Sequence, residues 1–238
     1  MATETSGIGT AMITTGGSFL NGNSALCVVL WIKSDVIATD HGFLQTYSTG
    51  PDGTDQAIGC RYDLSGASGG GSNLIKLCID AGTKINSGYE SASGVQTTSL
   101  QSLIFQWSSG NQETLYIDGV LDTPTFRASA YSGTTVNCNT VRMHRGGKDE
   151  ASNWNGIVYE FRVYDRILTQ NEITSIATMK GQDSIKNNLV LLWHGDKSYP
   201  NQSVSTVTDR SGEGRGGTAS GTPIFAEDLI HVRRRRNA

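Results

Sequence analysis

The sequence predicts an all-β protein, an antiparallel sandwich of short strands with one short helix. Three observations predict it. Only 17% of the 238 residues are charged and 37% are hydrophobic, so Ser, Thr, Asn and Gly must cover much of the surface. The 29 glycines interrupt short apolar runs, which suits tight turns between strands rather than charged helices. Only one stretch, residues 154–176, carries clear helix-start chemistry, and it follows a strand pattern.

That stretch reads WNGIVYEFRVYDRILTQNEITSI. From Ile157 every second residue is apolar (Ile157, Tyr159, Phe161, Val163), while Glu160 and Arg162 occupy the alternate register. A period of two marks a strand with one face on a core and the other toward water or a neighbour. Asp165 and Arg166 turn the chain. Thr169 and Glu172 form a capping box, and Leu168 and Ile173 sit where a hydrophobic staple would close. Ile173, Ile176 and Ala177 give one apolar stripe, and the helix is expected to run from Thr169 to about Met179 and end near Gly181.

Other strands are expected at about 25–33, 42–47, 57–63, 73–80, 102–108, 113–118, 120–122, 139–144 and 156–164. Asp118-Gly119 is a two-residue hairpin signal, because a type I′ turn needs positive φ at both central positions. Gly66–Ser72 is expected to be a flexible loop tip. Residues 1–17, rich in Thr and Gly, are expected to form an irregular arm. Leu189–Trp193 has the composition of a buried strand.

Three segments carry a resemblance. The stretch from Trp154 to Ile173 resembles the closing segment of laminin-G-like, concanavalin A-type jelly-roll domains. Ser24–Ser34 (SALCVVLWIKS) resembles the family's early core strand with its Trp-x-Lys ending. Leu103–Leu121 (LIFQWSSGNQETLYIDGVL) resembles its central hairpin, with Trp107 before the turn and Tyr116–Gly119 after it. The matches span roughly residues 18–180, in the family's order. The resemblance implies a concanavalin A-like jelly-roll sandwich over 18–226, with an N-terminal arm at 1–17 and a basic arm at 227–238. In the family, an apolar strand followed by a D-x-S-G-x-G loop usually opens the domain. Here Leu189–Trp193 and Thr208–Gly221 follow the closing helix. Residues 188–226 are therefore expected to complete the sandwich in permuted order, with a truncated second repeat as the alternative.

Bulk features narrow the function classes. Residues 1–17 have neither a basic start nor an apolar run, so no signal peptide is expected. No apolar segment approaches the roughly 18 residues of a membrane span. Cys27, Cys60, Cys78 and Cys138 are spread without a C-x-x-C pair and are expected to be buried reduced thiols. His41, His144, His194 and His231 have no partner at zinc-ligand spacing. Net charge is −3, yet Arg233–Arg236 contribute four positive charges, so the remainder is more acidic by four. A negative body argues against nucleic-acid binding through the folded domain.

Candidate chemistry is sparse. Gly66–Gly70 matches G-x-S-x-G, but a Gly/Ser-rich loop surrounds Ser68 where a nucleophile elbow needs a strand and a helix. Gly212, Gly214 and Gly217 match G-x-G-x-x-G without a helix to follow. Retaining glycosidases need two carboxylates about 5 Å apart. Glu160 is the one acidic residue placed inside a long strand, and Asp165 lies at the turn, on the opposite face. Carbohydrate binding draws on an aromatic platform with amide side chains beside it. Asn153, Trp154 and Asn155 form such a set, with Tyr131 and His144 as neighbours. The alternative is that Trp154 packs against the end of the sandwich. Calcium stays open, with Asp52, Asp55 and Asp209 in Gly-rich loops but no ligand spacing that names a site. No other cofactor is expected.

The basic run Arg233, Arg234, Arg235 and Arg236 follows Ile230 and Val232, whose alternation resembles a docking strand. Such C-termini after a laminin-G-like domain resemble those of some tailed-phage structural proteins. The leading expectation is thus a non-enzymatic virion structural protein, a capsid decoration or cement protein made in the host cytoplasm, with capsid or other virion proteins as partners. The alternative is a carbohydrate-binding adhesin or lectin module. A homo-oligomer and a glycan partner remain open, and no membrane partner is expected.

Overall fold

The computed structural model describes residues 2–5, 12–47, 56–66, 70–79, 88–136, 138–143, 154–180, 182–194, 205–220 and 224–226. In chain order the first strands are β1 (Ala2–Thr5), β2 (Met12–Gly16), β3 (Ala25–Ser34), β4 (His41–Tyr47), β5 (Gln56–Ser65) and β6 (Ser72–Ile79). There follow β7 (Tyr89–Glu90), β8 (Gln101–Ser108), β9 (Thr114–Ile117), β10 (Val120–Leu121), β11 (Phe126–Arg127) and β12 (Thr140–Met143). After β13 (Gly156–Tyr164) come helix α1 (Gln170–Met179), β14 (Leu189–His194), β15 (Thr206–Val207), β16 (Gly217–Ser220) and β17 (Ile224–Ala226).

These strands form two antiparallel sheets. The first runs β10-β9-β8-β3-β13-β1-β17, with β14 also paired to β13. The second runs β11-β7-β6-β5-β4-β12-β2-β16-β15. Between them lies one core, to which Leu26, Val28 and Leu30 of β3 contribute from one side and Ile58, Cys60 and Tyr62 of β5 from the other.

The central strands of the first sheet are buried on both faces, and β3 shows why its sequence reads as an unbroken apolar run. Its even residues enter the central core, while Cys27 and Val29 join Ile104, Leu168, Ile173 and Ile176 beneath α1. A strand covered on both faces loses the alternation of a half-buried one. The helix is held as its sequence predicts. Thr169 Oγ1 accepts the N–H of Glu172 at 3.3 Å, and Glu172 Oε2 accepts the N–H of Thr169 at 2.8 Å. A cap of this kind stabilises by about 1 kcal/mol. Arg166 adds a bidentate pair to Glu172 at 2.6 and 2.9 Å and holds its carboxyl down at about pKa 2. The Asp118-Gly119 turn also forms as expected, with φ of 51° and 82° and Val120 opposite Ile117.

Two expectations are corrected. Residues 1–17 are not an irregular arm throughout: β1 pairs with β13 and β17, and β2 pairs with β12 and β16. Their Thr-rich sequences carry little apolar pattern, and their strand form comes from partners distant in the chain. The face assignment of β13 also shifts. A register irregularity between Val158 and Glu160 puts Val158, Phe161 and Val163 in the core, whereas Ile157 and Tyr159 are only partly buried. Around this bulge the outer partner of β13 changes from β1 (Thr3 opposite Val158) to β14 (His194 opposite Glu160). An extra residue in one strand is the usual way to re-aim its side chains.

Residues 189–226 contribute to both sheets, through β14 on β13, β16 on β2 and β17 on β1. Cys27, Cys60 and Cys138 are buried free thiols. Among the described residues no helix is long and apolar enough to cross a membrane. Residues 227–238 lie outside the described set, as does Ser68.

Glu160 and Arg162 face the α1 side of the sheet, as the alternate register requires, but both are buried. Arg162 donates to Glu160 at 2.5 Å, to Asp183 through both terminal nitrogens at 2.8 and 2.9 Å, and to the Tyr164 hydroxyl at 3.2 Å. Burial lowers the Arg162 pKa, and the Glu160 and Asp183 charges more than reverse that. Removing one partner from a buried pair leaves an uncompensated charge. Asp183→Ala is therefore expected to cost about 3 kcal/mol, read as a lower urea midpoint with an unchanged slope, whereas Asp183→Asn recovers part of the loss.

Candidate functional site

The sequence-predicted aromatic platform is corrected first. Trp154 is 1% exposed. Its ring stacks on His41 at 4.3 Å and 20°, and Phe43 and Tyr62 meet it edge-on at 5.2 Å each. The physical reason lies next door. Gly156 has φ of 150°, and a Cβ there would stand 2.2 Å from the Lys33 carbonyl oxygen. This close approach carries the preceding residues across the sandwich end, where the indole closes the core instead of meeting solvent. His41 fits the same joint: its Nδ1 accepts the Asn155 N–H at 3.2 Å, and its Nε2 lies 3.4 Å from Ser34 Oγ. Burial pushes its pKa down to about 4.

The remaining members do not gather around Trp154. Asn155 is half-buried, and its carbonyl accepts the Asp35 N–H at 3.0 Å. Tyr131 packs on Trp107, ring centroids 5.8 Å apart, at the other end. Trp107 pairs with Leu26 and Gly156 with Ser34, so the two places are separated by eight residues of β3, roughly 26 Å. Asn153, His144, Asp52, Asp55 and Arg233–Arg236 lie outside the described residues. Asp209 is spent on its own loop. One oxygen accepts the N–H groups of Leu192 (3.0 Å) and Ser211 (2.9 Å), the other the Arg215 N–H and Ser211 Oγ, both at 2.8 Å. Burial opposes its charge, but these donors outweigh burial and keep its pKa below the usual value. Among the described residues no group of three or more His, Cys, Asp or Glu side chains could hold a metal ion. The Gly212–Gly217 loop leads into β16, not into a helix.

A polar surface that the sequence did not single out lies on the outer face of the second sheet. Cys60, Tyr62, Leu77, Tyr89 and Val141 point into the core, so their neighbours point away from it. One cross-strand row runs Phe126, Glu90, Lys76, Arg61 and Gly42, each opposite the next. A second runs Gly59, Gln45, Arg142, Thr14 and Thr218. Gly42, opposite Arg61, and Gly59, two residues along β5 from it, put no side chain at those two positions, so the half-exposed Arg61 guanidinium stands beside low ground on this face.

Arg61 is held rather than loose. Its Nε and Nη2 donate to Asp63 Oδ2 at 3.1 and 2.7 Å, while its side chain stays 31% exposed. Lys76 Nζ stands 3.2 Å from the same Asp63 oxygen and 3.3 Å from Glu90 Oε1. Asp63 thus lies inside a long strand, which corrects the expectation that Glu160 is alone in doing so. The alternation of Arg61 and Asp63 against Cys60 and Tyr62 was visible in the sequence; the register that sets Lys76 and Glu90 beside them was not.

The family model of the concanavalin A-like lectin/glucanases superfamily matches residues 6–174. No curated protein sequence matches the chain. Among solved structures, a protein of Bacteroides ovatus described as a candidate carbohydrate-binding protein aligns over 95% of this chain at 18% identity, with a TM-score of 0.66. The chain spans 60% of that protein's length. A heptameric SAP-like pentraxin of Limulus polyphemus aligns over 76% of this chain and 83% of its own, at 13% identity and a TM-score of 0.55. Botulinum neurotoxin type C, whose cell entry depends on interaction with two ganglioside molecules, aligns over 87% of this chain and 51% of its own, at 10% identity and a TM-score of 0.51. At these identities the likeness is one of fold.

The buried joint at His41 makes stability depend on pH. Its folded pKa of about 4 lies below the ordinary 6.5. The unfolded chain therefore binds the proton more tightly, and stability falls as pH drops from 6.5 toward 4, by up to about 3 kcal/mol. Urea midpoints between pH 7 and 4 should show this decline, and His41→Gln should flatten it even if it lowers the pH 7 value.

Proposed function

The chain belongs to the concanavalin A-like lectin/glucanase superfamily, and on that premise we propose that it is a non-enzymatic module that binds carbohydrate on the outer face of its second sheet. The observation that carries this reading is the half-exposed Arg61 guanidinium, held by Asp63, beside the side-chain-free positions Gly42 and Gly59. Sugars bind through many directed hydrogen bonds to hydroxyls, and rigid charged donors make the strongest of these. Asp63 fixes the Arg61 guanidinium before any ligand arrives, so less side-chain freedom is lost on binding. Carbohydrate- and ganglioside-linked proteins among the structural neighbours favour the same ligand class. A non-catalytic role agrees with the state of the acidic groups on the described strands. Asp63 and Glu90 are both engaged by Lys76, and Glu160 is engaged by Arg162 beneath the α1 side.

A glycan array probed with the whole chain tests this. Arg61→Ala is expected to weaken the selected glycan by roughly ten- to a hundredfold, with thermal stability retained. An array without specific binding, or binding indifferent to this substitution, overturns it.

A second reading, compatible with the first, is a virion structural protein such as a capsid decoration protein. The four consecutive arginines behind Ile230 and Val232 favour it, since a basic arm would add weak contacts that symmetric copies multiply. Deleting 228–238 is expected to lower attachment to particles in a salt-dependent way without unfolding the sandwich. Absence of the protein from purified particles, measured by quantitative mass spectrometry, overturns this second reading alone.

A further inference from the structure

Lys76 lies between two carboxylates with all three groups out of water. Its Nζ is 3.2 Å from Asp63 Oδ2 and 3.3 Å from Glu90 Oε1, and the side chains are 7%, 5% and 0% exposed. The backbone imposes this meeting: Lys76 is directly opposite Glu90, and Asp63 is two residues beyond Arg61, which faces Lys76. A cover excludes solvent from above. Gly66 N donates to Gly71 O at 2.7 Å, and the Gly66 backbone presses so close that a Cβ there would lie 2.9 Å from Glu90 Oε2. Gln96 Nε2 reaches over to the carbonyls of Asp63 (3.0 Å) and Leu74 (3.1 Å).

We propose that Lys76 and Asp63 condense into a side-chain amide that links β5 to β6. One Nζ proton passes to Asp63, which leaves a neutral amine against a neutral carboxyl group. The nitrogen lone pair forms the bond to Cγ, and the displaced electrons collect on Oδ2, where Arg61 Nε and Nη2 already donate. A second Nζ proton goes to Glu90 and from there to the departing oxygen, which leaves as water. The C–N bond that forms replaces the C–O bond that breaks. An ammonium and a carboxylate become a neutral amide and one water, and Glu90 ends as it began. No oxidant or external reactant takes part.

Two physical effects favour this step. Groups held in contact react with effective molarities of order 10⁵ M or more. Two buried charges also carry a desolvation cost that an amide removes, so condensation relieves the very crowding that the sheet register imposes. The cross-link would also supply a covalent tie in a sandwich whose Cys27, Cys60 and Cys138 are free thiols.

Intact mass spectrometry of the full chain, purified folded and then denatured, tests the proposal. The expected mass is lower than the sequence mass by one water, and proteolysis should release a branched peptide joining the Lys76 and Asp63 segments. Lys76→Arg should restore the full sequence mass. Refolded Glu90→Gln should recover the deficit about a hundredfold more slowly than the parent chain. The full sequence mass in the folded parent chain overturns the proposal without recourse to any variant. So does a deficit that maps elsewhere or survives Lys76→Arg.

Discussion

Strand β13 is the constraint on which the rest of the structure depends. It pairs along one edge with β3 over nearly its whole length, and on the other edge first with β1 and then with β14. The chain's beginning, middle and end are therefore registered on one strand. The bulge between Val158 and Glu160 makes this division workable, because it turns Val158, Phe161 and Val163 toward the core on both sides of the change of partner. Beyond the other end of the strand, the Arg166–Glu172 pair and the capping box set the helix that covers the outer face of the sheet.

Both sheets bury charge on their outward faces, and in each the burial is a consequence of what lies above. On the first, Arg162 binds Glu160 within its own strand and Asp183 from the segment after α1. On the second, Asp63, Lys76 and Glu90 are closed over by the Gly66–Gly71 contact and Gln96. Charges placed so must be paired, and the pairing then fixes geometry. Arg61 gains from this arrangement, since the Asp63 oxygen that orients it is itself held in place by Lys76. Rigid presentation of a half-exposed guanidinium is therefore a property of the whole row.

The chemistry of recognition was less legible than the fold. The residues Asn153, Trp154 and Asn155 look like a sugar platform in one dimension, because aromatic and amide side chains stand together. In three dimensions Gly156 brings the backbone against Lys33, and the indole closes the core on His41. Tyr131, its expected neighbour, belongs to the opposite end. Conversely, nothing local in the sequence announces that Gly42 lies opposite Arg61, or that Lys76 flanks it on the other side.

What the sequence determined by itself is local. The helix with its Thr169–Glu172 cap, the Asp118-Gly119 turn and the apolar strands from Ala25 to Tyr164 follow from side-chain periodicity and hydrogen bonding within a few residues, which any stretch of chain carries with it. What only the tertiary structure decided is everything set by strand register. That includes the recruitment of the Thr-rich N-terminus into both sheets, the displacement of Ile157 and Tyr159 from the core, the burial of Trp154, and the meeting of Lys76 with Asp63 and Glu90. Register is a property of pairs of strands, and a shift of one residue exchanges the two faces of a sheet. The energies that choose it come from contacts between distant segments, so no single segment can specify it.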